Sequence, residues 1–220
     1  MSANNKGQNV KKTFLSALLG MTIAATSSAL ANPPLPQAVR GTIDSVSGAK
    51  LVITERSGTK ISVVLIPPAA VIEVLADSLK DVKPGTFVGT AAIKQPNGVY
   101  RALELQIFPE SMRGVGLGTR AYNLKPHSTM TNGTVGGMAQ AGGAVNAVTG
   151  AGDLTLTVND GSGDKTVLVP KGVPVVTFAK GTAADVQPGA HVMIFPVPAA
   201  DGTLTTKWIS VGKNGLVPPM

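Results

Sequence analysis

An eight-residue segment returns 104 positions later, and this recurrence constrains the fold more than any other feature of the chain. Asp81-Val82-Lys83-Pro84-Gly85-Thr86-Phe87-Val88 reappears as Asp185-Val186-Gln187-Pro188-Gly189-Ala190-His191-Val192. Asn97-Gly98 reappears as Asp201-Gly202 at the same interval. Nearer the start, Arg40-Gly41-Thr42-Ile43 corresponds to Asn132-Gly133-Thr134-Val135 at an interval of 92. The shortfall implies an insertion in the first loop of the second copy, and the glycine-rich 142–152 stretch supplies it. Two copies at so long a period indicate a duplicated domain rather than a solenoid of many short repeats.

Within the first copy, alternating and β-branched runs predict strands at about 38–46, 50–56, 60–66, 86–93 and 100–108. Ser57-Gly58 and Pro84-Gly85 read as turns, and Asn97-Gly98 as a two-residue hairpin. Residues 76–81 read as a short helix or helical turn. The second copy repeats this with strands near 133–139, 154–158, 166–169, 190–197 and 203–211. Five short strands with a small helix after the third predict an all-β chain of two tandem five-stranded OB-like barrels, with an open β-sandwich as the rival arrangement. The expected organisation is 32–110 for the first barrel, 111–132 for an irregular connector and 133–220 for the second barrel.

Residues 1–31 carry the three parts of a secretory signal. Lys6, Lys11 and Lys12 precede the apolar run 14–25, and Ala29 and Ala31 fit the small-residue cleavage rule. An uncleaved anchor is the alternative, but a full span needs about 20 apolar residues and this run is shorter. The expected address is periplasmic or secreted, with no stable membrane insertion after cleavage. The chain has no cysteine, which excludes disulfides, thiolate catalysis and cysteine-ligated metals. Loss of the three leader lysines lowers the formal net charge from +7 to +4, with no basic cluster among the remaining charges.

The segments Lys83–Ala91, Phe108–Gly114, Ser128–Asn132 and Gly212–Met220 resemble a family of uncharacterised exported bacterial proteins with tandem OB-like β-repeats, over nearly all of the mature chain. The resemblance implies the fold and the address and says almost nothing about activity. Similar proteins are sometimes labelled metal-transport components, and relatives carry a histidine after the glycine-rich connector. This chain has Gly118-Thr119-Arg120 there.

The candidate chemistry is sparse. No Gly-x-Ser-x-Gly elbow, His-Glu-x-x-His or nucleophile–base pair is present, so no catalytic residue and no enzyme is expected. Gly114-x-Gly116-x-Gly118 lacks the strand-before, helix-after context of a phosphate loop and reads as a flexible or tightly turned linker. Few aromatics and the expected export argue against nucleic-acid binding. No cofactor and no metal is expected. The favoured reading is a non-enzymatic binding or structural module that contacts an envelope protein or glycan. Its contact groups are Arg113, Arg120, Tyr122, His127 and Met130 in the connector. The alternative is a periplasmic copper-type protein in which His127 joins Met130 or Met112.

Overall fold

The computed structural model describes residues 1–2, 37–140, 143–144 and 152–220. Apart from its first two residues, the expected signal segment lies outside the described residues, as does most of the glycine-rich loop. Contacts divide the chain into Met1–Pro34 and Leu35–Met220, and every described strand belongs to the second unit.

That unit is all-β. In chain order the strands are β1 (Val39–Ser47), β2 (Lys50–Glu55), β3 (Lys60–Ala76), β4 (Phe87–Lys94), β5 (Tyr100–Ala102), β6 (Leu105–Ile107), β7 (Gly118–Ala121), β8 (Ser128–Gln140), β9 (Gly143–Ala144), β10 (Leu154–Asn159), β11 (Asp164–Val169), β12 (Val175–Lys180), β13 (His191–Ile194), β14 (Val197–Pro198) and β15 (Leu204–Gly212). Helical structure among the described residues is confined to 3-10 turns of three residues, including Leu79–Asp81 within the expected short helix or helical turn. None is long and apolar enough to cross a membrane.

All strands join one continuous sheet whose pairings close two circuits. The first runs β1–β2–β3–β15–β13 and back to β1. The second runs β8–β10–β11–β5–β4 and back to β8. Closure pairs the strand edges that would otherwise stand open. Each circuit takes three strands from one half of the sequence and two from the other. The expected boundaries, one barrel per half, are therefore crossed by the pairing: β4 and β5 close the circuit of the second half, and β13 and β15 that of the first.

The registers of the two circuits coincide. Gly41 faces Val192, and Gly133 faces Val88. Leu204 faces Val63, and Tyr100 faces Val167. The same shift of 104 relates these partners, with 92 for the first strand. Each circuit buries a matched interior: Ile43, Ile53, Val63, Val192 and Ile209 in one, Val135, Val158, Val167, Val88 and Leu105 in the other.

Local turn chemistry explains the hairpins. In Lys83-Pro84-Gly85-Thr86 the proline presets its φ and Gly85 supplies φ +89°, as Gly189 does at +87° in the matching turn. Gly85 then donates to the Val135 carbonyl and Gly189 to that of Ile43, which fixes each turn on the other half's first strand. Asn97-Gly98 differs from the expected two-residue hairpin. Only Gly98 has positive φ, and Gln95 and Val99 close a three-residue loop around it.

The expected irregular connector contains β7 and the start of β8. β8 pairs with β7 through Thr129–Asn132 and with β4 through Ser128–Thr134. Within it, Gly114, Gly116 and Gly118 all have positive φ, so the glycine run makes a tight turn.

Gly41 and Gly133 hold matching places in the two first strands, and a Cβ at either would lie 2.3 Å from a backbone carbonyl oxygen, of Thr54 and Asn159 respectively. Gly41→Ala and Gly133→Ala are each expected to cost roughly 2–4 kcal/mol, because backbone cannot yield as a side-chain end can. Gly136→Ala, with its nearest neighbour at 3.9 Å, is expected to cost under about 0.5 kcal/mol. Urea denaturation of the three variants checks this.

Candidate functional site

The end of β3 pairs antiparallel with β12, with Val74 opposite Phe178, and joins the first circuit to the strands of the other half. A third apolar cluster fills this junction and includes Val74, Phe87, Phe108, Phe178, Met193 and Met220. It leaves a cavity of about 300 Å³. The chain has eight aromatic residues and seven methionines. Five of those aromatics (Phe108, Tyr122, Phe178, Phe195 and Trp208) and four of those methionines (Met112, Met130, Met193 and Met220) line this one cavity. Phe108 lies 5.4 Å from Phe87 and 5.1 Å from Phe178 between ring centroids, and Phe195 stacks on Trp208 at 5.5 Å.

Sequence places these side chains through simple devices. The parallel ladder of β15 on β3 breaks after Thr206–Leu65 and resumes at Trp208–Ala70. Pro67 and Pro68 fall in that gap, where their missing amide hydrogens cost no ladder bond. The same irregularity turns Trp208 toward the junction. Alternation along β8 puts Met130 and Asn132 on one face, and Tyr122 follows β7 directly.

A polar layer borders the apolar wall. Arg40 is 9% exposed and lies over the Tyr122 ring, its carbon 5.1 Å from the centroid. It donates to Asn123 Oδ1 at 3.1 Å and to the Met220 carbonyl. The Tyr122 hydroxyl donates to Met193 Sδ at 3.5 Å, and burial pushes its phenol pKa up. Glu104 is fully buried, and its Oε1 accepts from the Ala91 amide at 2.8 Å and from Gln106 Nε2 at 3.1 Å. Burial pushes its carboxyl up to about 7, against the pull of those two hydrogen bonds.

Five buried polar atoms among the described residues have no hydrogen-bond partner within the protein: Arg40 Nη2, Asn132 Oδ1, Glu104 Oε2, Trp208 Nε1 and Ser210 Oγ. They are not scattered. Arg40 matches Asn132 at an interval of 92, Glu104 matches Trp208 at 104, and Ser210 matches Gln106 at 104. Three strand positions carry every such atom, two of them in both halves and the third, at Ser210, in one. Buried polar groups without partners are uncommon, and two of these residues, Asn132 and Trp208, line the cavity, which marks it as the candidate site.

Of the residues singled out from sequence, Met112, Arg120, Tyr122 and Met130 come together here. Arg113 and His127 do not line the cavity. Arg113 holds Glu110 at 2.5 Å and the Gly85 carbonyl at 3.0 Å, an exposed local staple. His127 stands exposed on a turn at φ +61°, whereas Met130 is buried with its sulfur 3.9 Å from Gln106 Nε2. His191 is half-buried in β13, with Nδ1 3.0 Å from Thr42 Oγ1. Among the described residues no three His, Asp or Glu side chains gather at metal-binding range. Gln106, Phe178, Phe195 and Trp208 were not singled out from sequence. The signal available was scarcity: in a chain poor in aromatics, Phe178, Phe195 and Trp208 fall within 31 residues.

No family model matches the chain, and no curated protein or solved structure does either. These comparisons therefore do not bear on the resemblance noted from sequence.

Because Glu104 binds its proton more tightly when folded than when unfolded, its contribution to stability is greatest below about pH 4.5. That contribution falls as pH rises to about 7 and then levels off, a loss on the order of 3 kcal/mol. Glu104→Gln is expected to remove this loss, so the variant gains on the parent from pH 5 to pH 8 in urea melts. Parallel curves for the two proteins would contradict it.

Proposed function

We propose that this chain is a non-enzymatic, exported binding module that holds a small apolar molecule between two OB-like barrels with exchanged strand hairpins. The observation that carries the reading is the cavity at the junction, where the chain concentrates aromatic and thioether side chains beside a few polar groups. Ligand sites are mostly apolar concavities with a small number of oriented polar groups, and this one has that make-up. Export rests on the leader-like pattern of residues 1–31, and the OB-like description rests on the strand order 1-2-3-5-4 with strands three and five parallel in each circuit. On this reading the connector contributes through Arg120, Tyr122 and Met130, which line the cavity.

The copper-type alternative draws on the four methionines in the wall. Its histidine, however, is exposed on a turn, and the sulfurs of Met130 and Met193 face the Gln106 amide and the Tyr122 hydroxyl. The apolar-ligand reading accounts for the aromatic side chains as well, and is preferred.

Trp208 is the sole tryptophan and reports on the cavity directly. The neutral probe N-phenyl-1-naphthylamine should bind saturably at one site, with energy transfer from Trp208. Ala70→Phe, which places a ring at the exposed rim, should weaken binding about tenfold or more, the loss that excluding part of the probe from an apolar site implies. Absence of saturable transfer, or unchanged affinity in Ala70→Phe, would overturn the reading.

A further inference from the structure

The geometry points to an anionic amphiphile as the ligand: a small carboxylate whose aromatic or aliphatic body fills the cavity and whose head group meets Arg120 at the rim. This rests on the cavity reading above and adds the sign of the ligand's charge. Arg120 is the only charged side chain that lines the cavity, and no acidic residue does. Its guanidinium donates to the Gly116 carbonyl at 2.8 Å and forms no ion pair among the described residues.

Strand alternation separates Arg120 from the nearest acid on its own element's surroundings. Thr119 Oγ1 donates to Asp160 Oδ2 at 2.7 Å, and Asp160 is also held by Lys165 at 3.6 Å, so that carboxylate is already engaged on the other face of β7. Glu104 is fully buried and absent from the lining. Behind the wall Arg40 adds a second guanidinium, over the ring of Tyr122, with Nη2 unpartnered. Arg120, with no acidic side chain in the lining, gives the rim of the cavity a positive bias. A guanidinium at the edge of an apolar site is suited to the planar, bidentate grip of a carboxylate.

A matched series tests this on the full protein by displacement of N-phenyl-1-naphthylamine: 1-naphthylacetate, 1-naphthaleneethanol and 1-(2-aminoethyl)naphthalene at pH 7.5. The carboxylate should bind about tenfold tighter than the alcohol, the gain typical of one charge-assisted contact, and the amine should bind weakest. The carboxylate-to-alcohol preference should collapse to about twofold or less in Arg120→Gln and return in part in Arg120→Lys. Equal binding of carboxylate and alcohol, or a preference that survives Arg120→Gln, would overturn the inference while leaving the apolar cavity intact. Failure of every naphthyl compound and of the neutral probe would overturn the cavity reading itself.

Discussion

The antiparallel crossing of β3 and β12 at Val74 and Phe178 is the contact on which the rest of this fold depends. β3 is 17 residues long, more than β2 alone can pair. Its first part pairs with β2, and its last part, Ile72–Ala76, pairs with β12 instead. The chain then leaves β3 on the far side of the crossing, beside the other half's strands. From there, β4 finds β8, and β5 finds β11, as its nearest open edges. The hairpin of the second half, β13 to β15, makes the converse passage to β1 and β3. Short connections favour this route: Asp77–Thr86 joins β3 to β4 through one 3-10 turn and one proline-glycine turn.

Interlocking of this kind leaves a seam, and the seam is where the halves differ. Inside each circuit, matched positions hold the same kinds of residue, so both interiors pack as ordinary β cores. At the junction, matched positions hold unlike residues. Phe178 is opposite Val74 across the crossing, Trp208 corresponds to Glu104, Met193 to Gly89 and Phe108 to Gly212. Large side chains from one half meet small or polar ones from the other, and such a surface cannot fill its own volume. A cavity and a set of unpartnered polar atoms follow from the same mismatch.

Much of the local structure was legible because its causes are local. The proline-glycine turns, the hairpin at Asn97-Gly98 and the alternating strands each depend on a few adjacent residues, and the recurrence at 104 and 92 reappears in the strand register. The partner of each hairpin was not legible. Val88 can pack as well against Ile43 as against Val135, since the two interiors are chemically alike, and only chain length and direction choose between them. The far end of β3 was missed because Pro67-Pro68 reads as a strand terminus, although its amides fall in a gap of the ladder. β12 was missed for a like reason, lying just beyond Pro170 and Pro174. Of the side chains that line the cavity, Arg120, Tyr122 and Met130 drew notice in the sequence because they stand in a segment without periodicity. Phe178, Phe195 and Trp208 were not, because an aromatic within a strand reads as core until the seam is known.

The exchange of hairpins can be tested by cross-linking, because the chain has no cysteine of its own. Thr42 faces His191 across β1 and β13. Had each half closed on itself, His191 would face Thr134 instead. Under mild oxidation, Thr42→Cys with His191→Cys should form a disulfide nearly completely, and Thr134→Cys with His191→Cys should remain reduced. Ready cross-linking of the second pair and none of the first would contradict the account.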